Sequence, residues 1–230
     1  MLQWLLAWCV GALVVSGFAC LSASGAEPEQ IFSQFQAWAE RYLKASDADT
    51  RKTLEKEGEI LAAKRRAALI KLIPAVPKRA LEFAVPNTMR RQLPPSITKQ
   101  LEQRFSGRGD LNVLVADDFA RGKSDIQRTV SIGGQTYRAF VYGRRSHQAS
   151  QQNAPLHGII LDNLMAVHES NVRVLEPGET IDPQTPLGNP DLRCPVCRQP
   201  ASRGVAVEVA GAIYYLDRAD HITEFVKRFN

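Results

Sequence analysis

The sequence predicts an α+β protein: a helical N-terminal region, a small antiparallel β barrel or sandwich, and a C-terminal ββα metal module. Three observations predict it. Apolar residues recur at spacings of three and four between Ile31 and Ile73. Between Asn112 and Leu175 the apolar period falls to two. Near the C-terminus a Cys-x-x-Cys turn precedes two short strands and a terminal helix. The 230 residues are 44% hydrophobic and 23% charged, which excludes a disordered, collagen-like or coiled-coil protein.

Residues 1–26 carry no Asp, Glu, Lys or Arg. Leu5 to Phe18 are almost wholly apolar, and Ser24-Gly25-Ala26 sets small residues before Glu27. That pattern reads as a secretory signal peptide cleaved after Ala26. The segment lacks an early Lys or Arg, so an uncleaved N-terminal anchor is the alternative. Cys20 raises a lipid-modified terminus, although Gly17 stands where an aliphatic residue is usual. Each reading places the mature chain outside the cytoplasm, secreted or periplasmic, with membrane contact only if the segment is uncleaved. No later run reaches the roughly 18–20 apolar residues that cross a bilayer.

Residues 27–105 form the predicted helical region. Ile31, Phe32, Phe35, Trp38, Ala39 and Tyr42 make one helical stripe. Ser46-Asp47-Ala48-Asp49 interrupts it and caps the next helix, which carries Leu54, Leu61, Leu69 and Ile73. Pro74 and Pro77 end that helix. Shorter helices are expected at Lys78–Val85 and Ser96–Phe105. Residues 106–180 form the small β domain. Its strands are Asn112–Ala116, a hairpin turning at Gly133-Gly134, Gly158–Leu161, Leu164–Val167 and Asn171–Leu175. Residues 181–192 hold three prolines and read as a linker.

The sharpest chemistry lies in residues 193–230. If Cys9 and Cys20 leave with the signal, Cys194 and Cys197 are the two cysteines that remain. The turn Cys194-Pro195-Val196-Cys197 points both thiols at one place. Asp217 and His221 lie four apart, one helical turn, so both side chains can leave the same face. A knuckle pair and a helix-start pair are the usual ligands of a tetrahedral zinc site. Two thiolates, a carboxylate and a neutral imidazole favour zinc over Mg²⁺ or Ca²⁺, with Cu(I) the softer alternative. The thiols have two other readings, a local disulfide and an inert pair. Thioredoxin-like redox catalysis is disfavoured, because a strand rather than a helix follows the turn.

This segment resembles the small YHS/TRASH-type metal-binding domains, on Cys194-Pro-Val-Cys197, Ala206-Val-Glu-Val209, Ala210-Gly211, Ile213-Tyr-Tyr-Leu216 and Phe225. The resemblance implies a treble-clef-like fold. Those domains carry a second cysteine pair just after a Tyr-Tyr-Phe strand, and here that pair falls on Asp217 and His221. A second resemblance covers residues about 50–180, on Ser106-Gly-Arg-Gly-Asp110, Tyr137 to Arg145, Pro155-Leu-His-Gly158 and Val172 to Gly178. It is to an uncharacterised module of secreted bacterial proteins and implies no activity.

Other motifs are weaker. Arg108-Gly109-Asp110 joins the predicted helical and β regions and reads as a chance tripeptide. His157, His168 and Glu169 lack the H-E-x-x-H spacing that orients two imidazoles. The runs Lys64-Arg65-Arg66 and Arg144-Arg145 read as solvated basic faces, and a formal charge of +5 is too modest to suggest a nucleic-acid partner. No phosphate loop or G-x-S-x-G elbow is present. The expected function is that of a non-enzymatic binding or scaffold protein with a structural zinc, its partner a protein or envelope component. The alternatives are a metal-handling protein, which sequesters or transfers zinc or copper, and a hydrolase using the β-domain histidines.

Overall fold

The computed structural model describes residues 26–118, 123–201 and 204–230. The predicted signal segment lies outside them except for its last residue, Ala26, which begins the first helix. No helix among the described residues is long and apolar enough to cross a membrane.

Helices α1 (Ala26–Lys44) and α2 (Ala48–Ala75) form a hairpin. Asp47 caps α2 as expected, accepting from the amides of Asp49 and Thr50. Trp38 sits fully buried at the crossing and donates its indole N–H to the Leu54 carbonyl at 2.7 Å. Gly58 makes room for that ring: a Cβ there would lie 2.1 Å from Trp38 Cζ2. Three short helices follow, α3 (Pro77–Glu82), α4 (Asn87–Arg90) and α5 (Pro95–Thr98). The helix expected to reach Phe105 stops at Thr98, and residues 103–105 are already strand. Arg65 is not a solvated charge. It is 1% exposed and forms a two-pronged ion pair with buried Glu102, at 2.5 and 2.9 Å. That pair ties α2 to the start of the barrel.

Five strands close into a barrel: β1 (Gln103–Asp118), β2 (Lys123–Ile132), β3 (Gln135–Phe140), β4 (Gln151–Leu161) and β5 (Leu164–Val167). The order is β1-β2-β3-β5-β4, with β4 closing on β1. This is a five-stranded Greek-key barrel of OB type, and fold alone says nothing of its ligand. The barrel was expected to be antiparallel, but β3 pairs parallel with β5. The chain reaches that pairing through a 3₁₀ turn at Gly143–His147 and then β4. An irregularity between Gly109 and Leu111 bends β1, so its first half pairs with β4 and its second with β2. The Arg-Gly-Asp tripeptide lies inside this strand. Arg108 donates to the Asn153 carbonyl and Asp110 accepts from the Asn153 amide.

Leu111, Val130, Leu156, Met165 and Val167 fill the barrel. On its outer side Ile159, Leu161, Leu164 and Ala166 pack against Phe32, Leu69 and Ile73 of the helical hairpin. Every residue of β5 is buried for that reason.

The C-terminal sheet has the order β6-β7-β8, from Val172–Val174, Val205–Val209 and Ala212–Leu216, and α6 (His221–Phe229) covers it. The strand expected at 171–175 does not join the barrel. It pairs with β7. Residues 181–192 lie against the same sheet, with Leu187 bridged to Ile213 and Asn189 only 6% exposed.

Candidate metal centre

Cys194 and Cys197 sit on a tight hairpin. An antiparallel bridge joins Arg193 to Pro200. The Cys194 amide donates to the Gln199 carbonyl, and the Arg198 amide donates back to the Cys194 carbonyl, both at 2.8 Å. Arg198 takes φ of 67°, which turns the chain. Cys194 is fully buried against Val207, Leu216 and Phe225, while Cys197 is half-buried.

The other two residues arrive from β8 and α6. Asp217 directly follows β8, and His221 is the first residue of α6. The sequence placed both on one helix face; instead Asp217 precedes the helix, and the turn at 217–220 brings the two side chains together. His221 Nδ1 lies 3.4 Å from Cys194 Sγ and 2.6 Å from Asp217 Oδ1. The Nδ1–Oδ1 distance is short, yet Asp217 Oδ1 is buried without a hydrogen-bond partner, because the N–H direction is wrong for one. Ligand atoms from all four residues lie within 4.8 Å of one another. The structure thus brings every predicted site residue to one point.

Two features hold these four residues in place. Asn189 donates to the carbonyls of Arg193 and Tyr215 and accepts from the Tyr215 amide, tying the Cys194 hairpin to β8. Gly204 passes so close to the end of β8 that a Cβ would lie 1.6 Å from the Leu216 carbonyl oxygen and 2.9 Å from Asp217 Cα. Neither residue carries a metal-ligand signal, and the sequence reading passed over both.

The electrostatics favour anionic sulfur at Cys194. Burial pushes that thiol up, but the amides of Asp217, Cys197 and Val196, together with His221, hold it below its ordinary value. The Gln199 amide draws Cys197 down, whereas burial and the neighbouring Cys194 and Asp217 raise it overall. Burial likewise opposes ionisation of Asp217, but the nearby Cys194, Cys197 and His221 outweigh it and hold the carboxyl below its ordinary value. Contact with Cys194 raises His221 despite burial, with Asp217 adding to the effect. The N-terminal end of α6 faces this cluster, and its dipole favours negative charge there. Such an arrangement can hold a metal ion through two sulfurs, one carboxylate oxygen and one imidazole nitrogen.

The barrel histidines form a separate pair. Their rings stack at 4.5 Å with an interplanar angle of 20°. His157 is 7% exposed, and burial, with His168, Arg145 and Arg173 nearby, lowers it to about 3. His168 Nδ1 accepts from the Ser170 amide at 3.0 Å, so its lone pair is occupied. Nearby Arg145, expected on a solvated face, is 1% exposed. Arg144 binds Asn230 through its carbonyl and side-chain oxygens, at 2.9 and 2.6 Å. The far end of α6 is thereby fastened to the barrel.

No family model, curated protein or solved structure matches this chain.

Proposed function

We propose that residues 193–230 form a treble-clef-like module of YHS/TRASH type, holding a structural zinc ion on Cys194, Cys197, Asp217 and His221. One observation carries this reading: three separate segments converge four ligand atoms within 4.8 Å. The orphaned Asp217 oxygen supports it, because a buried acceptor without a donor costs about 1–3 kcal/mol unless a cation satisfies it. A tetrahedral zinc with bonds of about 2.0–2.3 Å places its ligand atoms roughly 3.3–3.8 Å apart, so a small closure of the widest pair and opening of Nδ1–Oδ1 seats the ion. Four protein ligands leave no open position, which fits a structural role.

On this reading the chain is a binding or scaffold protein outside the cytoplasm. The apolar leader and small-x-small site support that location. The ion stabilises a module whose core is small, built on Val172, Val207, Leu216 and Phe225. The partial exposure of Cys197 and Asp217 favours a second reading, that of metal handling.

Elemental analysis of residues 27–230, purified without chelator or affinity metal, tests the proposal. The expected result is about one zinc per chain, reduced to background in Asp217→Ala and His221→Ala, with loss of C-terminal structure. The proposal fails if both variants keep wild-type metal content and folding. Slow exchange to a chelator supports the structural role, and fast exchange supports handling.

A further inference from the structure

A cleft of about 540 Å³ opens where the helical region, the barrel and the C-terminal sheet meet. It is distinct from the metal centre. Its apolar walls come from all three parts: Leu81 and Ala84, Ile159, and Val172. Volume and position suit a small ligand, since binding sites gather at such junctions.

The carboxylates around the cleft are occupied. Glu176 accepts from the amides of Asn87 and Thr88 and from the Thr88 hydroxyl. Glu179 accepts from Arg173, the Asn87 side chain and the Glu176 amide. Glu208 accepts from Arg173.

Several donors in the cleft lack acceptors. Arg104 gives Nε and Nη2 to the Val85 and Ala84 carbonyls, and its nearest carboxylate, Glu176, is 3.6 Å away. Its Nη1 has no acceptor among the described residues. His168 takes the Ser170 amide on Nδ1, so its ring proton is on Nε2, which likewise has no protein acceptor among the described residues. The Ser106 hydroxyl is unpaired in the same sense. His157, more than nine-tenths buried, also lines the cleft; its Nδ1 faces the Val172 backbone, and its Nε2, an acceptor in that tautomer, has no partner.

Behind the histidines lies an uncompensated charge. Arg145 is 1% exposed, yet its hydrogen bonds go only to neutral oxygens: the carbonyls of His168 and Pro155 and the side chains of Gln148 and Asn171. A buried cation with no anion beside it is costly and biases its surroundings toward negative charge. Free donors, apolar walls and an unbalanced guanidinium together select an acceptor-rich anion with an apolar body.

We propose that this cleft binds a small organic carboxylate, with the carboxylate taken by Arg104 and His168 and the apolar part resting on Leu81 and Val172. Guanidinium and carboxylate match in planar geometry, and charge-assisted bonds of this kind are the stronger class. The inference does not depend on the metal reading.

Amide NMR of residues 27–230 tests it, with benzoate as the probe and benzamide as its neutral counterpart. Benzoate is expected to shift the signals of residues 104–106, 157–159 and 168 saturably, and benzamide to bind them far more weakly. Arg104→Gln should weaken benzoate by about 10- to 100-fold. Ser106→Leu, which leaves Arg104 in place but narrows the cleft, should abolish binding, and it decides the matter if Arg104→Gln does not fold. Equal binding of benzamide, absence of saturable shifts at those residues, or benzoate affinity unchanged by both variants would overturn the proposal.

Discussion

Two histidine sites in this molecule differ in how their neighbours were chosen. His157 and His168 stack face to face in the barrel wall, and both are pushed toward the neutral form, mainly by burial, with arginines adding to it and Glu169 opposing it at His168. His221 sits among two thiols and a carboxylate, and is pushed the other way. A histidine alone therefore says little about function. Its neighbours decide between a neutral hydrogen-bonding shelf and a ligand for a cation. Anionic neighbours converge on a point that a positive ion can fill, whereas cationic neighbours leave an imidazole poised for an anion.

The largest effect is expected from removing a sulfur. Cys194→Ser is expected to drop zinc content from one per chain to near zero and to unfold the C-terminal module, seen as lost protection of residues 205–229 in hydrogen exchange, while the barrel stays folded. Acid should act on the other site. The folded His157 titrates near 3 against an unfolded value of 6.5, so the unfolded chain binds the proton first. Its stabilising effect is full above about pH 6.5 and is lost as pH falls toward 3, a change of several kcal/mol. Urea midpoints at pH 7 and pH 4.5 should show a steep decline in the wild type and a shallower one in His157→Phe.

A smaller effect is expected from Asn189, which ties the Cys194 hairpin to β8. Asn189→Ala should weaken zinc by about 10- to 100-fold, the range found when outer-shell partners are removed, as measured by competition with a chromogenic chelator. Smallest of all is His168→Gln, which should leave zinc affinity unchanged and alter stability by about 1 kcal/mol, as read from the thermal midpoint, because it removes one hydrogen bond from the Ser170 amide and the ring contacts with His157 and Tyr142.

How much of this was legible follows from how local each feature is. The Cys194–Cys197 knuckle is a four-residue motif and reads directly. Asp217 and His221 emerged from spacing and resemblance, although the helix assumed to carry both begins only at His221. The two-glycine hairpin and the Asp47 cap were visible because each is a short-range signal. Hidden features depend on contacts between distant segments. Arg65 stands in a run of basic residues, and nothing nearby marks Glu102, 37 positions on, as its buried partner. Arg145 looks like half of a surface pair, yet it donates to the carbonyls of Pro155 and His168 and to the side chain of Asn171. The parallel β3–β5 pair and the departure of β6 from the barrel are choices of partner, and period-two patterning carries no partner information.

That last departure has a practical consequence. The chain leaves β5 and within a few residues supplies an edge strand to the sheet that bears the cysteine hairpin. A cut placed in the proline-rich stretch at 181–192 therefore strips one strand from the C-terminal piece and leaves the row of backbone groups on β7 open to solvent or to another chain. The final forty residues are not a cassette that can be lifted out and studied alone. A fragment meant to retain its native edge must begin before Val172, and one that starts later is expected to pair with itself.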